Sequence, residues 1–522
     1  MSVEHFDVLI VGAGLSGIGA GCCLQTHCPG TRYAILEGRH DLGGTWDLFR
    51  YPGVRSDSDM FTLGYSFRPW TEAKAIADGP AILKYLRETA REFGIDRHIR
   101  FRHRVLSASW SSDDARWTVE CATEEKGLVD APSSAAGGPE PPVRYTCSFL
   151  YLCSGYYDYE SGHAPAFPGA SEFQGQIVHP QHWPRDLHYR GKRVVVIGSG
   201  ATAVTLVPAM AETAAHVTLL QRSPTYIISL PARDRVANVI RKLLPERAAH
   251  RLIRWKNVLL GLYFYRICRR TPERAKKWLL RRLARELPPD FDVAKHFTPH
   301  YDPWDQRLCV VPDSDLFRAI RAGRVSVVTD QIAHFTRHGI RLASGQELQA
   351  DVVVTATGLK LLALGGIRLT VDAVGVDPGR CLTYKGLMLS NVPNCAICVG
   401  YTNASWTLRA DLSSMYVCRL INYMARRGYA QCVPRYDGTP VETRPLLGLT
   451  SGYVRRAADL FPRQGLKAPW VVRQNYLFDL LALHWGAVDD GSLVFSRRGG
   501  RPMSCTPAPF GAADANGTAV ST

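Results

Sequence analysis

An α/β fold with two Rossmann-like dinucleotide-binding domains and an inserted helical segment is what the sequence predicts, on three observations. A glycine turn, Gly12-Ala-Gly14-Leu-Ser-Gly17, directly follows the β-rich run Phe6–Val11. A second, Gly198-Ser-Gly200-Ala-Thr-Ala203, directly follows Val194–Ile197. Downstream of it, residues 233–285 hold 17 Arg and Lys against three acids, with apolar residues at roughly helical spacing. Strand, glycine turn, helix and strand, in that order, make a βαβ unit.

Taken along the chain, the first unit is the strand Phe6–Val11, a helix to about Cys28, and the strand Tyr33–Leu36 ending in Glu37. Alternating patterns over 101–121 predict further strands, and Phe149–Cys153 another. Between them, residues 124–142 (EEKGLVDAPSSAAGGPEPP) read as a surface loop. The second unit runs from Val194–Ile197 to the strand Val217–Gln221, which ends in Arg222. The basic segment 233–285 predicts two or three helices. The strand Asp351–Thr355 is closed by Ala356-Thr357-Gly358, residues 380–490 mix strands and helices, and from Arg497 the chain is small and polar, a predicted tail.

Composition narrows the class. A chain of 522 residues suggests two to four domains, and 46% hydrophobic with 21% charged residues excludes collagen, coiled coil and wholesale disorder. The formal net charge of +16 raises anionic partners. No apolar run reaches the roughly 18 residues that span a bilayer, the longest, Val258–Cys268, being short and interrupted by Arg266. The N-terminus lacks the basic start of a signal peptide, so an intracellular, cytoplasmic protein is expected. The 14 cysteines have irregular spacing and do not form a disulfide framework. Cys395 and Cys398 lie in a strand-like run, where positions three apart face opposite ways. They read as structural thiols, and no metal site is expected.

The first fingerprint has a physical logic. Gly12 permits the tight turn, Gly14 lets a pyrophosphate approach the backbone, and Gly17 lets the helix pack on the strand. The helix N-terminus, with Ser16 in its first turn, offers unpaired N–H groups to an anion. Glu37, about 20 residues on, can accept hydrogen bonds from a ribose. In the second fingerprint Gly198, Gly200, Ala201, Thr202 and Ala203 play the same part, but the following strand ends in Arg222-Ser223. A guanidinium there favours a 2′-phosphate. FAD is therefore expected at the first site and NADPH at the second, with hydride passing from nicotinamide to flavin. A disulfide reductase is nearly excluded: Gly43-Gly44-Thr45 is followed by Trp46, and from there no cysteine occurs until Cys121.

The segment Phe173-Gln-Gly175-Gln-Ile-Val-His179-Pro-Gln-His-Trp183-Pro184 matches five fixed positions of FxGxxxHxxxWP. The chain thereby resembles the type I Baeyer–Villiger (class B flavoprotein) monooxygenases, over roughly residues 4–490. The resemblance implies NADPH- and O2-dependent insertion of oxygen into ketones, giving esters, or oxygenation of sulfur. It assigns Phe173, Gly175, His179 and Trp183 to the coupling of the two domains. Gly44, Thr45, Trp46 and Asp57, in a stretch running to Tyr51-Pro-Gly-Val-Arg55 and beyond, look like the family's flavin-contacting region. Asn403, in Tyr401-Thr-Asn403-Ala-Ser-Trp406, sits where a C-terminal helix points at the flavin ring. Arg307 matches the family's catalytic cation and Asp57 the acid beside it, which would hold and tune it. Gln306 stands where many relatives carry a Lys for the 2′-phosphate. Trp470 is the candidate for the family's mobile Trp.

These assignments divide the chain into an FAD-binding domain at 1–160 and 379–494, an NADPH-binding domain at 161–225 and 301–378, a basic helical insertion at 226–300 and a tail from 495. Two other enzyme readings stay open: N- or S-oxygenation without Baeyer–Villiger activity, and an NADPH–flavin electron-transfer reductase. The basic helices read either as a solvated amphipathic face or as a surface for anionic membrane. No motif accompanies them that would indicate nucleic acid. Oligomeric state and substrate are not encoded in these motifs.

Overall fold

The computed structural model describes residues 3–123 and 142–498. The expected loop at 124–142 and the tail lie outside the described residues, apart from Pro142, Arg497 and Arg498. Phe495 and Ser496 are not tail: they lie in the strand Leu493–Ser496, which pairs antiparallel with Gln431–Pro434.

The first sheet is centred on Glu4–Val11, flanked in parallel by Tyr33–Leu36 and Val143–Leu152. Near-continuous Val, Ile and Leu suit strands covered on both faces. The helix Leu15–His27 is buried from Leu15 to Leu24 because it lies between this sheet and the 22-residue helix Trp406–Arg427. The strands His103–Ser111 and Arg116–Thr123 extend the sheet antiparallel on the Val143–Leu152 side.

The second sheet is fully parallel, in the order Val325–Thr329, His216–Gln221, Arg193–Ile197, Val352–Thr355, Gln176–Val178. Its helix, Ala201–Met210, packs a core of its own around Val194, Val196, Leu206 and Phe317. Between Ile227–Leu230 and its parallel partner Cys309–Pro312 lie the basic helices Arg235–Leu243, Glu246–Arg270 and Pro272–Ala284.

One boundary differs from the expectation. The strand Arg368–Val371 pairs with His103–Ser111 in the first sheet, so the chain has left the second unit well before residue 378. The sequence offers only a short polar-apolar alternation there, which fits either sheet equally well. The passage between the units is a two-stranded antiparallel ribbon, Tyr157–Gly162 against Leu359–Leu361.

The buried cysteines behave as packing residues, all of them free among the described residues. Cys395 and Cys398 lie on the strand Cys395–Ile397 and its edge, inside the core. Among the described residues no group of His, Cys, Asp and Glu could hold a metal ion, and no helix is long and apolar enough to cross a membrane.

Candidate active site

Both glycine turns open into one continuous cavity of about 1050 Å³, larger than the usual range for a single ligand pocket. Gly12 has φ +101°, and a Cβ there would meet the Cys153 carbonyl oxygen at 2.7 Å. A Cβ on Gly17 would stand 1.8 Å from the Gly12 oxygen, which is why the helix can start so close to the strand. Gly17 and Ala203 therefore pack helix on strand and do not line the cavity, as the third fingerprint position requires.

Gly12, Gly14, Ser16, Glu37, Gly44, Thr45, Trp46 and Asp57 line the first half of the cavity. Glu37 is buried at the strand end, accepting from the Ala13 N–H at 2.7 Å and from the Arg39 N–H at 2.9 Å. Burial raises its pKa above the ordinary carboxylate value. Trp46 lies in a short helix, Thr45–Leu48, that starts after Gly44. Ser16 Oγ accepts from Trp406 Nε1 at 2.8 Å, which ties the N-terminus of the C-terminal helix to the first fingerprint.

Gly198, Gly200, Ala201, Thr202, Arg222 and Ser223 line the second half, together with Gln306 and Arg307. Arg222 and Ser223 are exposed.

The fit to two dinucleotides rests on shape and charge. A Cβ on Gly200 would meet nothing within 4 Å, so the turn faces open cavity, and the nearest atom to a Cβ on Gly14 is Gly44 Cα at 3.7 Å. A helix N-terminus stands behind each turn. A buried acid ends the strand of one half and an exposed arginine that of the other. The residues present fit FAD in the first half and NADPH in the second.

Arg307 and Asp57 meet between the halves. Arg307 Nε lies 2.9 Å from Asp57 Oδ2 and a second nitrogen 3.3 Å from Oδ1, a two-point pairing that fixes the plane of the guanidinium. The Asp57 carboxylate raises the Arg307 pKa further, so the side chain is a permanent cation. Tyr156, Tyr157 and Tyr453 surround it, and burial holds Tyr453 at about 12.

The stretch expected at the flavin does a second job. Tyr51 and Val54 pack into the core of the second unit, and a Cβ on Gly53 would meet the Thr205 carbonyl oxygen at 2.9 Å. Arg55 forms an ion pair with Asp315. Residues 49–55 are thus a wedge from the first unit into the second, and Asp57 follows directly.

Asn403 is not brought to the cavity wall. Its amide donates to the Gln474 carbonyl at 2.9 Å, and neighbouring Tyr401 and Trp406 line the cavity instead. Trp470 does not reach the cavity either. It packs edge-on against Tyr384 and Tyr436, with ring centroids at 6.1 and 5.7 Å.

The four signature residues lie outside the cavity lining, and among them His179 packs on the ribbon. Phe173 packs edge-on against Phe335, and a Cβ on Gly175 would strike the Phe173 ring at 2.4 Å. Trp183 covers the core of the second unit. His179 accepts from the Gln181 N–H through Nδ1, and its ring lies flush against Gly162, where a Cβ would stand 1.9 Å from Cε1. Burial lowers its pKa, so the ring is neutral near pH 7. Gln181 and His182 bond the Asp158 and Glu160 carbonyls at 2.8 and 3.0 Å. Sequence motifs gave no signal for Tyr157, Tyr159 and Tyr453, which complete the cavity wall. The spelling of 157–162, Tyr-Asp-Tyr-Glu-Ser-Gly, is poor in strand formers, and nothing in it marks those rings as lining.

Two dinucleotide folds open on one cavity, with a carboxylate-held arginine between them, define a two-nucleotide oxidoreductase. Comparison with known proteins narrows this. Residues 6–364 match the flavin-binding monooxygenase-like family. The FAD-containing monooxygenase EthA of Mycobacterium tuberculosis is 54% identical over 509 residues, 97% of this chain and 99% of the relative. EthA of Mycolicibacterium smegmatis is 53% identical over 497 residues, 95% of this chain and 98% of the relative. The chain belongs to the flavin-binding monooxygenase-like family and is a flavin-dependent monooxygenase. Its fold is that of an oxidized steroid monooxygenase bound to NADP (TM-score 0.73, 23% identity, 95% of this chain and 100% of that one). It is also that of an open cyclohexanone monooxygenase (TM-score 0.71, 20% identity, 95% and 100%).

Proposed function

We propose that the chain binds FAD at the first fingerprint and NADPH at the second. It would use O2 to insert one oxygen atom into a ketone, giving an ester, or to oxygenate a sulfur compound, working in the cytoplasm. The observation that carries this reading is the Arg307–Asp57 pair, placed where the two halves of one cavity meet. FAD, when bound, supplies the redox and oxygen chemistry. Arg307 offers a fixed positive charge where negative charge develops on oxygen, and needs no reorganisation at that moment. Asp57 keeps that charge in one orientation. Glu37 and Arg222 hold the ribose of one nucleotide and the 2′-phosphate of the other. Tyr156, Tyr157 and Tyr453 stand around Arg307, whose side chain stays partly exposed.

The test is product analysis under isotopically labelled O2 with NADPH and a panel of ketones and sulfides. One labelled atom in an ester or a sulfoxide is the expected result. Label in sulfoxide or N-oxide only would leave the oxygenase and remove the ester-forming step. NADPH oxidation with no label in any product would favour an electron-transfer reductase.

A further inference from the structure

Most of the large apolar side chains that stand exposed among the described residues lie in two adjoining places, the basic helices and the short stretch 477–485. On the helix Glu246–Arg270 they form a stripe. Leu252, Trp255, Leu259 and Tyr263 follow each other at three- and four-residue spacing, and Tyr263 is 66% exposed. The opposite face of the same helix is already buried: Ile253 and Val258 enter the core, Arg254 bonds the Phe61 and Gly64 carbonyls and pairs with Asp411 at 3.1 Å, and Asn257 bonds Asp59. A surface helix needs one apolar face to pack on its protein. This one has a second, facing outward. Trp255 meets Tyr476 edge-on at 5.8 Å, which sets the stretch 476–485 beside the stripe, and in that stretch Leu481 and Trp485 are exposed, the latter 62%.

The charge around the stripe selects its partner. Arg247, Arg251, Arg266 and Arg270 flank it, all exposed and with no ion pair among the described residues. On the neighbouring helices Lys242 and Lys277 are exposed in the same condition. The acids of the segment are Asp234, held by Lys256, and the two helix-start residues Glu246 and Glu273. A second copy of this chain would have to bring the same arginines against each other across a two-fold contact, at a cost in like-charge repulsion. Anionic lipid headgroups neutralise those arginines while the acyl boundary takes Trp255, Leu259 and Tyr263.

We infer that the outward face of Glu246–Arg270, with Leu481 and Trp485, is a docking surface for an anionic lipid bilayer. The opposite face of this helix grips residues 59–64, and Leu63 lines the cavity. A docked bilayer therefore lies one helix away from the site. The inference does not depend on the proposed oxygenation, and its readout is binding alone.

The experiment is co-sedimentation of the FAD-loaded enzyme with phosphatidylcholine vesicles, with and without phosphatidylglycerol. Binding to the anionic vesicles, release by salt, and little binding to the neutral ones are expected. Two double variants, Leu259→Glu with Tyr263→Glu and Arg251→Glu with Arg266→Glu, should each lower the partition coefficient by roughly tenfold or more. Flavin absorbance and the melting temperature should stay unchanged, since all four side chains are exposed. Equal binding to both kinds of vesicle, or parental binding by the variants, would overturn the proposal. So would a parent that binds no vesicle but is an oligomer in the ultracentrifuge and becomes monomeric on Leu259→Glu with Tyr263→Glu, because the face would then join two copies.

Discussion

In the proposed reaction Arg307 would act through its own charge, and Asp57 through the orientation it gives that charge. Removing the guanidinium leaves both glycine turns, Glu37 and Arg222 in place. Arg307→Ala should therefore keep its FAD and still oxidise NADPH. The oxygen it consumes should appear as hydrogen peroxide instead of product, with product formation down by on the order of 10²–10³. A peroxide assay beside product analysis checks this, and thermal melting separates it from misfolding. At the other end of the cavity, Arg222→Ala should raise the KM for NADPH by roughly 10- to 150-fold, the worth of one charge-assisted contact, and change that for NADH little. Equal changes for both nucleotides would show that Arg222 does not read the phosphate. At this scale the motif residues were legible because a glycine turn or a strand-end charge works through its immediate neighbours. Asn403 and Trp470 were not, since their positions depend on Gln474 and Tyr384, residues distant in sequence whose packing no local pattern encodes.

Between elements, part of the signature segment packs on the ribbon 157–162/359–361. His179, Gln181 and His182 grip its outer side, while Tyr157 and Tyr159 face the cavity from the same strand. In the proposed coupling, a shift of the second unit would reach the cavity through this strand as well as through the wedge 49–55. Gly162→Ala places a methyl group inside the His179 ring. Its flavin content should stay normal, because the contact lies outside the cavity, while NADPH-driven flavin reduction slows. Stopped-flow absorbance under nitrogen reads that step directly, and an unchanged rate would remove His179 from the coupling. The glycine of this contact was invisible in the sequence: nothing within Tyr157–Gly162 reveals that a histidine 17 residues later will lie on it.

For the molecule as a whole, the joint between the basic helices and the first unit sets a pH limit. His250 is buried on Glu246–Arg270, and neither ring nitrogen has a hydrogen-bond partner. Burial, then Arg254, pushes its pKa down to about 4. The unfolded chain takes up this proton near the ordinary value of 6.5, the folded chain only near 4. Stability is therefore complete above 6.5 and falls as the pH drops through that window, by roughly 3–4 kcal/mol at about 1.4 kcal/mol per unit. His250→Gln should show a shallower loss of melting temperature between pH 6.5 and 4.5 than the parent. Identical slopes would mean that His250 does not set this limit. The two-unit plan and the basic insertion were legible in the sequence because each rests on a repeated local pattern. The boundary near 378 was not, since the strand Arg368–Val371 is assigned to its sheet only by pairing with residues more than 250 positions earlier.

The ribbon also orders events during synthesis. The second unit is one uninterrupted stretch of chain between the two ribbon strands, so all of its sheet has left the ribosome once Leu359–Leu361 emerges. The first unit cannot close then. Arg368–Val371 must still join His103–Ser111, Cys395–Ile397 must join Val143–Leu152, and Trp406–Arg427 must cover Leu15–His27. The domain made first is thus finished last, and until it is, the apolar side of Leu15–His27 stands open to chaperones on the nascent chain.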